Sequence, residues 1–170
     1  MHKAHKTIVG VMGPGAGASE QTLRAAARLG ELIAGAGLVL LTGGRNEGVM
    51  NAASEGAHRA GGLVVGVLGG TTTEDASPWV HIAILTGMGQ ARNNVNVLSS
   101  HVVVVCGMSQ GTASEVALAL RNGKHVVLVD VDSEAEGFFR SLGGAAVSVA
   151  RSPDDALAII AQLLNGGSRL

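Results

Sequence analysis

The 170-residue chain has 46% hydrophobic residues, 15% charged residues and a formal net charge of −1. With 2% aromatic residues as well, it has neither the basic surface nor the stacking side chains that nucleic acids require. One cysteine excludes a disulfide framework, glycine or charged residues interrupt each apolar run before membrane-spanning length, and the short polar N-terminus is unlike a signal peptide. We therefore expect a cytoplasmic protein that binds neither nucleic acid nor membrane.

Predicted strands and helices alternate along the chain. Continuous apolar runs predict strands buried on both faces at 7–12, 38–42, 63–68, 80–85, 102–105, 125–129 and 146–149. Apolar residues at helical spacing predict helices after Ser19, at about 49–60 and 90–99, from near Gly111, at 133–142 and from Pro153 to about 164. We predict an exposed loop at 69–79. The expected fold is α/β: one Rossmann-like ligand-binding domain over 1–170, with a doubly wound parallel sheet and helices on both faces.

Three glycine-rich loops follow predicted strands. In such a fold the carboxyl ends of the strands meet at one edge, where ligands bind. The candidate binding residues in these loops are Gly13, Pro14, Gly15 and Ala16, then Gly43, Gly44 and Arg45, then Gly107, Met108, Ser109, Gln110 and Gly111. The first loop departs from the G-x-G-x-x-G fingerprint and the chain has no P-loop, so an ordinary NAD site is disfavoured.

The third loop leads into a helix whose first N–H groups point at the sheet edge. Such a helix end suits an anion, because free N–H donors and the helix dipole both favour negative charge. The Thr112 hydroxyl adds a donor, and Glu115 lies one turn further on. The alternative is an ordinary strand-to-helix turn in which Gly111 serves only geometry.

Each of the other polar residues predicted at this edge has two possible roles, one in ligand binding and one in structure. Arg45 and Arg92 suit bidentate phosphate binding or surface ion pairs. Arg92 with Glu115 suits acid–base chemistry or a structural ion pair between helices, and Asn93 suits the pocket or the helix surface. The histidines show no ligand spacing, so we predict no metal site.

At several motifs the chain resembles the molybdenum cofactor carrier proteins, within the wider group of cytokinin-activating phosphoribohydrolases. These motifs lie at 8–15, 41–45, 48–50, 86–89, 91–93, 107–108, 111–112 and 115–120. The hydrolases' Thr and Glu correspond to Thr112 and Glu115, and their Arg to Arg92. The chain departs from the carriers' G-M-G-P-G-T pattern at Ser109 and Gln110.

The resemblance implies a carrier that binds, stores and protects molybdenum cofactor. The pterin's terminal phosphate would lie at Gly111 and Thr112, with Arg92 or Arg45 neutralising charge and the first two glycine loops lining the pterin and oxo-metal end. No protein ligand to the metal is expected, because the pterin dithiolene holds it. A homodimer or homotetramer and transfer to molybdoenzymes are also implied. The alternatives are a nucleoside 5′-monophosphate phosphoribohydrolase using Arg92 and Glu115, and a nucleotide-binding sensor.

Overall fold

A computed structural model describes residues 5–166, so the first four and last four residues of the predicted 1–170 domain lie outside the described part. The strands are β1 (Ile8–Met12), β2 (Val39–Thr42), β3 (Val64–Leu68), β4 (Ile82–Leu85), β5 (Val102–Cys106), β6 (His125–Val129) and β7 (Val147–Ala150). The helices are α1 (Glu20–Gly35), α2 (Gly48–Arg59), α3 (Arg92–Ser99), α4 (Gln110–Arg121), α5 (Ser133–Gly143) and α6 (Pro153–Gly166). Single 3-10 turns cover Gly89–Ala91 and Gly144–Ala146.

The strands form one sheet in the order β4-β3-β2-β1-β5-β6-β7, with each neighbouring pair parallel. The chain runs outward from β1 to β4 and then returns to the other side of β1 as β5. The switch point of the sheet therefore lies between β1 and β5, and the loops after these two strands are neighbours at its carboxyl edge. The predicted doubly wound α/β fold is confirmed.

Each face of the sheet carries its own apolar core. Along β5, Val102 and Val104 pack with the apolar residues of α1, α2 and α6. Val103 and Val105 point the other way, into the core that α3, α4 and α5 cover. Burial on both faces explains why these strands are continuous runs of β-branched residues.

Two glycines set how closely α1 and α2 pack. A Cβ atom on Gly30 would lie 2.0 Å from the carbonyl oxygen of Ala53, and one on Gly56 would meet the carbonyl oxygen of Ala27 in the same way. The two helix backbones therefore touch, which holds the loops at their ends in a fixed relation.

Most of the stretch predicted as an exposed loop at 69–79 is exposed, but Ser77 is buried, so the prediction is wrong at that residue. Ser77 is 3% exposed and donates its hydroxyl to Asn51 Oδ1 at 2.7 Å. Ala76 forms an antiparallel bridge with Arg45. The loop thus folds back over the carboxyl end of β2. None of the helices within residues 5–166 combines the length and apolarity needed to cross a bilayer.

Candidate functional site

The loops after β1, β2 and β5 pack against one another at the carboxyl edge. The Val49 N–H at the start of α2 donates to the Pro14 carbonyl oxygen at 3.0 Å. Gly107, with φ of 73°, lies so near Pro14 and Thr22 that a Cβ atom would come within 2.7 Å of the Thr22 methyl group. Pro14 is buried, and Ala16 is exposed at the tip of its loop.

The N-terminus of α4 is capped by its own chain. Ser109 is the N-cap residue, and its hydroxyl accepts the Thr112 N–H at 3.2 Å. The Thr112 hydroxyl lies 2.8 Å from the Ser109 hydroxyl, and Thr112 is 1% exposed. Gln110 and Gly111 are exposed, and the half-buried Met108 packs against the α4 core. The accessible part of this helix end is therefore formed by Gln110 and Gly111.

Arg92 is the buried cation of the site. Its side chain is 10% exposed and lies over the backbone of Gly43, where a Cβ atom would come within 2.4 Å of Nη1. Its Nη2 donates to Met50 Sδ at 4.0 Å, and its Nη1 forms an ion pair with Glu115 Oε1 at 4.0 Å. Burial lowers the pKa of Arg92 and outweighs the attraction of Glu115; repulsion from Arg45 adds to the lowering.

Glu115 lies behind Arg92, between α3 and α4. It is 7% exposed and accepts a hydrogen bond from Asn96 Nδ2 at 3.4 Å. Burial raises its pKa to about 7, against the opposing effects of Arg92 and Asn96. Asn96 Oδ1 is buried without a hydrogen-bond partner among the described residues. Glu115 therefore changes charge near neutral pH, beside a cation that it pairs with only loosely.

The arginine cavity, as we call it, opens beside Arg92 and has a volume of about 270 Å³. Arg45 and Arg92 form its charged walls. The end of β3 and the loop after it contribute Leu68, Gly69, Gly70, Thr72 and Asp75, and the turn before α3 contributes Gly89 and Gln90. Its mouth is at the carboxyl ends of β2 and β3, on one side of the switch point.

A second depression, the α3–α4 groove, lies between the starts of these two helices and has a volume of about 570 Å³. Its walls are Gln90, Ala91, Asn93 and Asn94 on one side and Gln110, Gly111, Ser114 and Leu118 on the other. Asn93 Nδ2 donates to the Ser114 hydroxyl at 3.4 Å. Gln90 is a wall of both the groove and the arginine cavity, so the two spaces adjoin.

Some of the predicted site residues line one of the two depressions, and others pack beneath the lining residues. Arg45 and Arg92 line the arginine cavity, while Asn93, Gln110 and Gly111 line the α3–α4 groove. Gly43 supports Arg92 from below, and Gly44 approaches Gly66 of β3 within van der Waals contact. Gly13 packs against Val49 and the Cys106 carbonyl oxygen, and Gly15 packs against Glu47.

Sequence reasoning missed the walls contributed by 68–75 and by Gln90. The Gly69-Gly70 pair after a strand was a usable signal, since it has the same form as Gly43-Gly44. Among residues 5–166, no cluster of three or more His, Cys, Asp or Glu side chains is placed to hold a metal ion.

A parallel, doubly wound sheet with helices on both faces defines a Rossmann-like α/β domain. Specifically, the chain belongs to the SLOG cluster4 family, which it matches over residues 6–157.

Two solved structures are similar over almost the full chain. The molybdenum cofactor binding protein from the phototrophic bacterium Rippkaea orientalis is 50% identical, with a TM-score of 0.93 and coverage of 94% of this chain and 98% of that one. The molybdenum cofactor carrier protein from Chlamydomonas reinhardtii is 51% identical, with a TM-score of 0.91 and coverage of 95% and 99%. These matches confirm the predicted resemblance to the carrier proteins.

A relative from Archaeoglobus fulgidus, an uncharacterized protein, is 43% identical over 129 residues, which cover 76% of this chain and 83% of the relative.

Proposed function

We propose that this protein binds and carries molybdenum cofactor and shields it from solvent. The single observation that carries the proposal is the likeness to carrier and cofactor-binding proteins at 50–51% identity over nearly the whole chain. The carboxyl edge is compatible with that cargo, because Arg92 is a buried cation with no hydrogen bond to an oxygen atom within residues 5–166. An anionic ligand would supply the missing acceptor. A cytoplasmic location and transfer to molybdoenzymes stay predictions.

The cargo would lie along the carboxyl edge. In this arrangement the pterin phosphate contacts the exposed N-terminus of α4 at Gly111, where Thr112 and Ser109 hold the turn in shape. Arg45 and Arg92 neutralise charge, and the loops after β1 and β2 support them. The dithiolene of the pterin already holds the metal, so the protein's part is to bind the oxygens and exclude water.

Anaerobic loading tests the carrier proposal. Purified protein is incubated with molybdenum cofactor and passed through gel filtration, and the retained pterin and molybdenum are assayed separately. We expect both to co-elute with the protein in equal amounts and to survive exposure to air longer than free cofactor. Failure to retain either component would contradict the proposal.

The contact between Arg92 and Glu115 favours a second candidate function, hydrolysis of the glycosidic bond of a nucleoside 5′-monophosphate. The two side chains are buried 4.0 Å apart, and Glu115 has a pKa of about 7, which suits a general acid or base at neutral pH. Release of free adenine from adenosine monophosphate, abolished in a Glu115→Gln variant, would establish this activity. No release by wild-type protein would eliminate it.

We also propose that the protein is a homodimer or homotetramer and that β4 lies in an interface with a second copy. β4 is an edge strand, so within residues 5–166 one side of it pairs with β3 and the other with no strand. Ile82, Ile84 and Leu85 of β4 are 47%, 43% and 43% exposed, and Met88 is 51% exposed. An apolar edge of this kind is suited to burial against another copy. At the other end of the sheet, Phe138 and Leu142 of α5 form a second exposed apolar patch.

Light scattering after gel filtration tests this assembly. We expect Ile84→Arg to lower the molar mass of the oligomer, because it places a charge in an apolar contact. Leu142→Arg separates the two proposed states: it lowers the mass of a tetramer that uses both patches and leaves a β4-only dimer unchanged. A monomeric wild type, or an Ile84→Arg variant with wild-type mass, would contradict the β4 interface.

A further inference from the structure

Two histidines begin two of the strand pairs in the same way, at the amino edge of the sheet. His81 directly precedes β4, and its backbone N–H donates to the Val64 carbonyl oxygen at 3.0 Å. In return, the Val64 N–H donates to Nδ1 of the His81 ring at 3.2 Å. His101 directly precedes β5 and forms the same two bonds with Ile8, whose N–H donates to its Nδ1 at 3.1 Å. Each ring thus takes the place of a backbone carbonyl group at the start of a strand pair.

An imidazole accepts a hydrogen bond at Nδ1 only while that nitrogen carries no proton. Neutral His81 therefore has its proton on Nε2. A second proton turns Nδ1 into a donor, which then faces another donor, the N–H of Val64. Because histidine is the side chain that ordinarily changes charge between about pH 8 and 5, mild acid turns this contact from attraction into repulsion.

The consequence of losing the ring as an acceptor differs between the two strands. Val64 is 0% exposed, so water does not replace the His81 ring, and a buried N–H without an acceptor is costly. Ile8 is half-buried and its bond to His101 is exposed, so water is a ready substitute. In addition, β5 pairs with strands on both sides, whereas within residues 5–166 β4 pairs only with β3. Protonation therefore loosens a strand at His81 and not at His101.

A second imidazole holds the His81 ring in position. His58, in the last turn of α2, stacks on His81 with the ring centroids 5.0 Å apart and the ring planes at 21°. The Trp79 ring also packs against His58, with 5.1 Å between centroids. Protons on both imidazoles repel each other across this distance. Acid therefore weakens the stack together with the hydrogen bond to Val64.

The charged groups on the neighbouring elements are engaged elsewhere. The strands β3 and β4 carry no ionisable side chain. On α2, Glu55 and Arg59 form an ion pair with each other. On the loop before His81, Glu74 is exposed and Asp75 lines the arginine cavity at the carboxyl edge. Charged side chains of α1 line a separate groove between α1 and α2 together with Arg59: Arg24, Arg28 and Glu31. The response to acid at this point of the sheet thus depends on the two imidazoles.

We propose that His81, positioned by His58, is an acid-sensitive latch on the amino end of β4. The neutral ring keeps β4 on β3, and the protonated ring releases the Val64 N–H, so that the start of β4 separates. At the other end of β4, the Thr86 N–H and hydroxyl both donate to the Leu68 carbonyl oxygen, at 3.0 and 2.8 Å. Neither donor titrates, so the separation stays at the amino end. The latch goes beyond the carrier proposal and does not depend on it.

Amide hydrogen exchange measured by NMR at about pH 7.5 and about pH 5.5 tests the latch in the full chain. We expect the protection factor of the Val64 amide, which corrects for the intrinsic effect of pH on exchange, to fall about tenfold in acid, as for loss of one buried hydrogen bond. The Ile8 amide should change less. Proton–nitrogen correlation spectra of the imidazoles should show the His81 ring with its proton on Nε2 at the higher pH, gaining a second proton over the range in which Val64 loses protection.

Two variants of His81 separate its protonation from other effects of acid. His81→Asn places an amide oxygen near the position of Nδ1 and does not titrate, so Val64 should keep its protection at both pH values. His81→Ala removes the acceptor, so protection should be low at both. His101→Asn is the matched control, because it replaces the equivalent ring before β5 and should leave the response of Val64 as in wild type.

Three results would overturn the latch: an unchanged protection factor of Val64 in wild type, a fall that persists in His81→Asn, or a His81 ring with its proton on Nδ1 at about pH 7.5. Light scattering at the same two pH values then relates the latch to assembly. If β4 lies in an interface between copies, acid should lower the molar mass of wild type and not that of His81→Asn. A mass that is constant while Val64 loses protection would contradict the β4 interface and not the latch, so the two proposals can fail separately.

Discussion

The carboxyl edge of the sheet has two regions of opposite character. At the switch point between β1 and β5, Pro14 and Gly107 are buried against each other and Ser109 caps α4, so the loops are closed by their own contacts. On the β2–β3 side, Arg45 and Arg92 face an open cavity whose donors have few acceptors. Doubly wound folds usually bind ligands near the switch point. In this protein the two arginines of the carboxyl edge, Arg45 and Arg92, line a cavity at the ends of β2 and β3, to one side of the switch point.

Glycine has a different task in each region. Gly107 is needed because the backbone turns with positive φ beside Thr22 and Pro14. Gly43 is needed because the guanidinium of Arg92 occupies the space above its Cα atom. Gly107 allows two loops to pack closely, and Gly43 leaves space for the guanidinium group of Arg92.

Glu115, the buried acid beside Arg92, should make the free energy of unfolding depend on pH. The folded pKa of Glu115 is about 7, above the ordinary value of 4.5, so the folded state favours the protonated form. This contribution is complete below pH 4.5 and is lost as the pH rises through 7. Relative to Glu115→Gln, wild-type protein should lose on the order of 3 kcal/mol of unfolding free energy over that range.

Urea unfolding of both proteins at several pH values measures this difference. The other carboxylates titrate in both and cancel. If the unfolding free energies of wild type and Glu115→Gln differ by the same amount at every pH between 4.5 and 7, Glu115 has an ordinary pKa.

Gly43→Ala should displace the Arg92 guanidinium, since the new Cβ atom would lie 2.4 Å from Nη1 and 2.6 Å from Met50 Sδ. Because the contacted atoms are the far ends of two flexible side chains, which can move aside, we expect a loss of at most about 1 kcal/mol in unfolding free energy, together with weaker retention of molybdenum cofactor. Gly137→Ala in α5 is the control, because no atom lies within 4 Å of its Cβ position. It should be neutral or stabilising by up to about 1 kcal/mol. Retention of molybdenum cofactor by Gly43→Ala at the level of Gly137→Ala would contradict the role of this contact in holding Arg92.

Ser19 and Ser109 are equivalent N-cap residues of α1 and α4, so replacing each of them tests the contribution of the loops near the switch point. Ser19 accepts the Thr22 N–H at 3.1 Å on α1, and Ser109 accepts the Thr112 N–H at 3.2 Å on α4. Each change to alanine should cost about 1 kcal/mol of unfolding free energy. Only Ser109→Ala should also lower retention of molybdenum cofactor, since it alone disturbs the turn proposed to contact the phosphate. If both variants retain the cofactor like wild type, the phosphate does not depend on this turn.

The fold was predictable because its signals are local. Buried parallel strands need uninterrupted apolar runs, and these appear in the sequence as 102–105 and 125–129. The proximity of Arg92 and Glu115 was also predictable, since Arg92 begins α3 and Glu115 lies one turn into α4, and both helices start at the same sheet edge. The walls at Thr72, Asp75 and Gln90 were not, because they depend on how 69–79 folds back, with the Asn46 N–H donating to the Asp75 carbonyl oxygen at 2.8 Å. Contacts between two loops produce no repeating pattern of apolar residues, so the sequence does not predict them.

Anomalous diffraction at the molybdenum edge, from crystals of anaerobically loaded protein, tests the central claim most directly. We predict one strong molybdenum peak at the carboxyl edge, in the arginine cavity or in the α3–α4 groove, which share Gln90 as a wall residue. Molybdenum located at the amino edge of the sheet, or absent from crystals of protein that co-elutes with pterin, would contradict it.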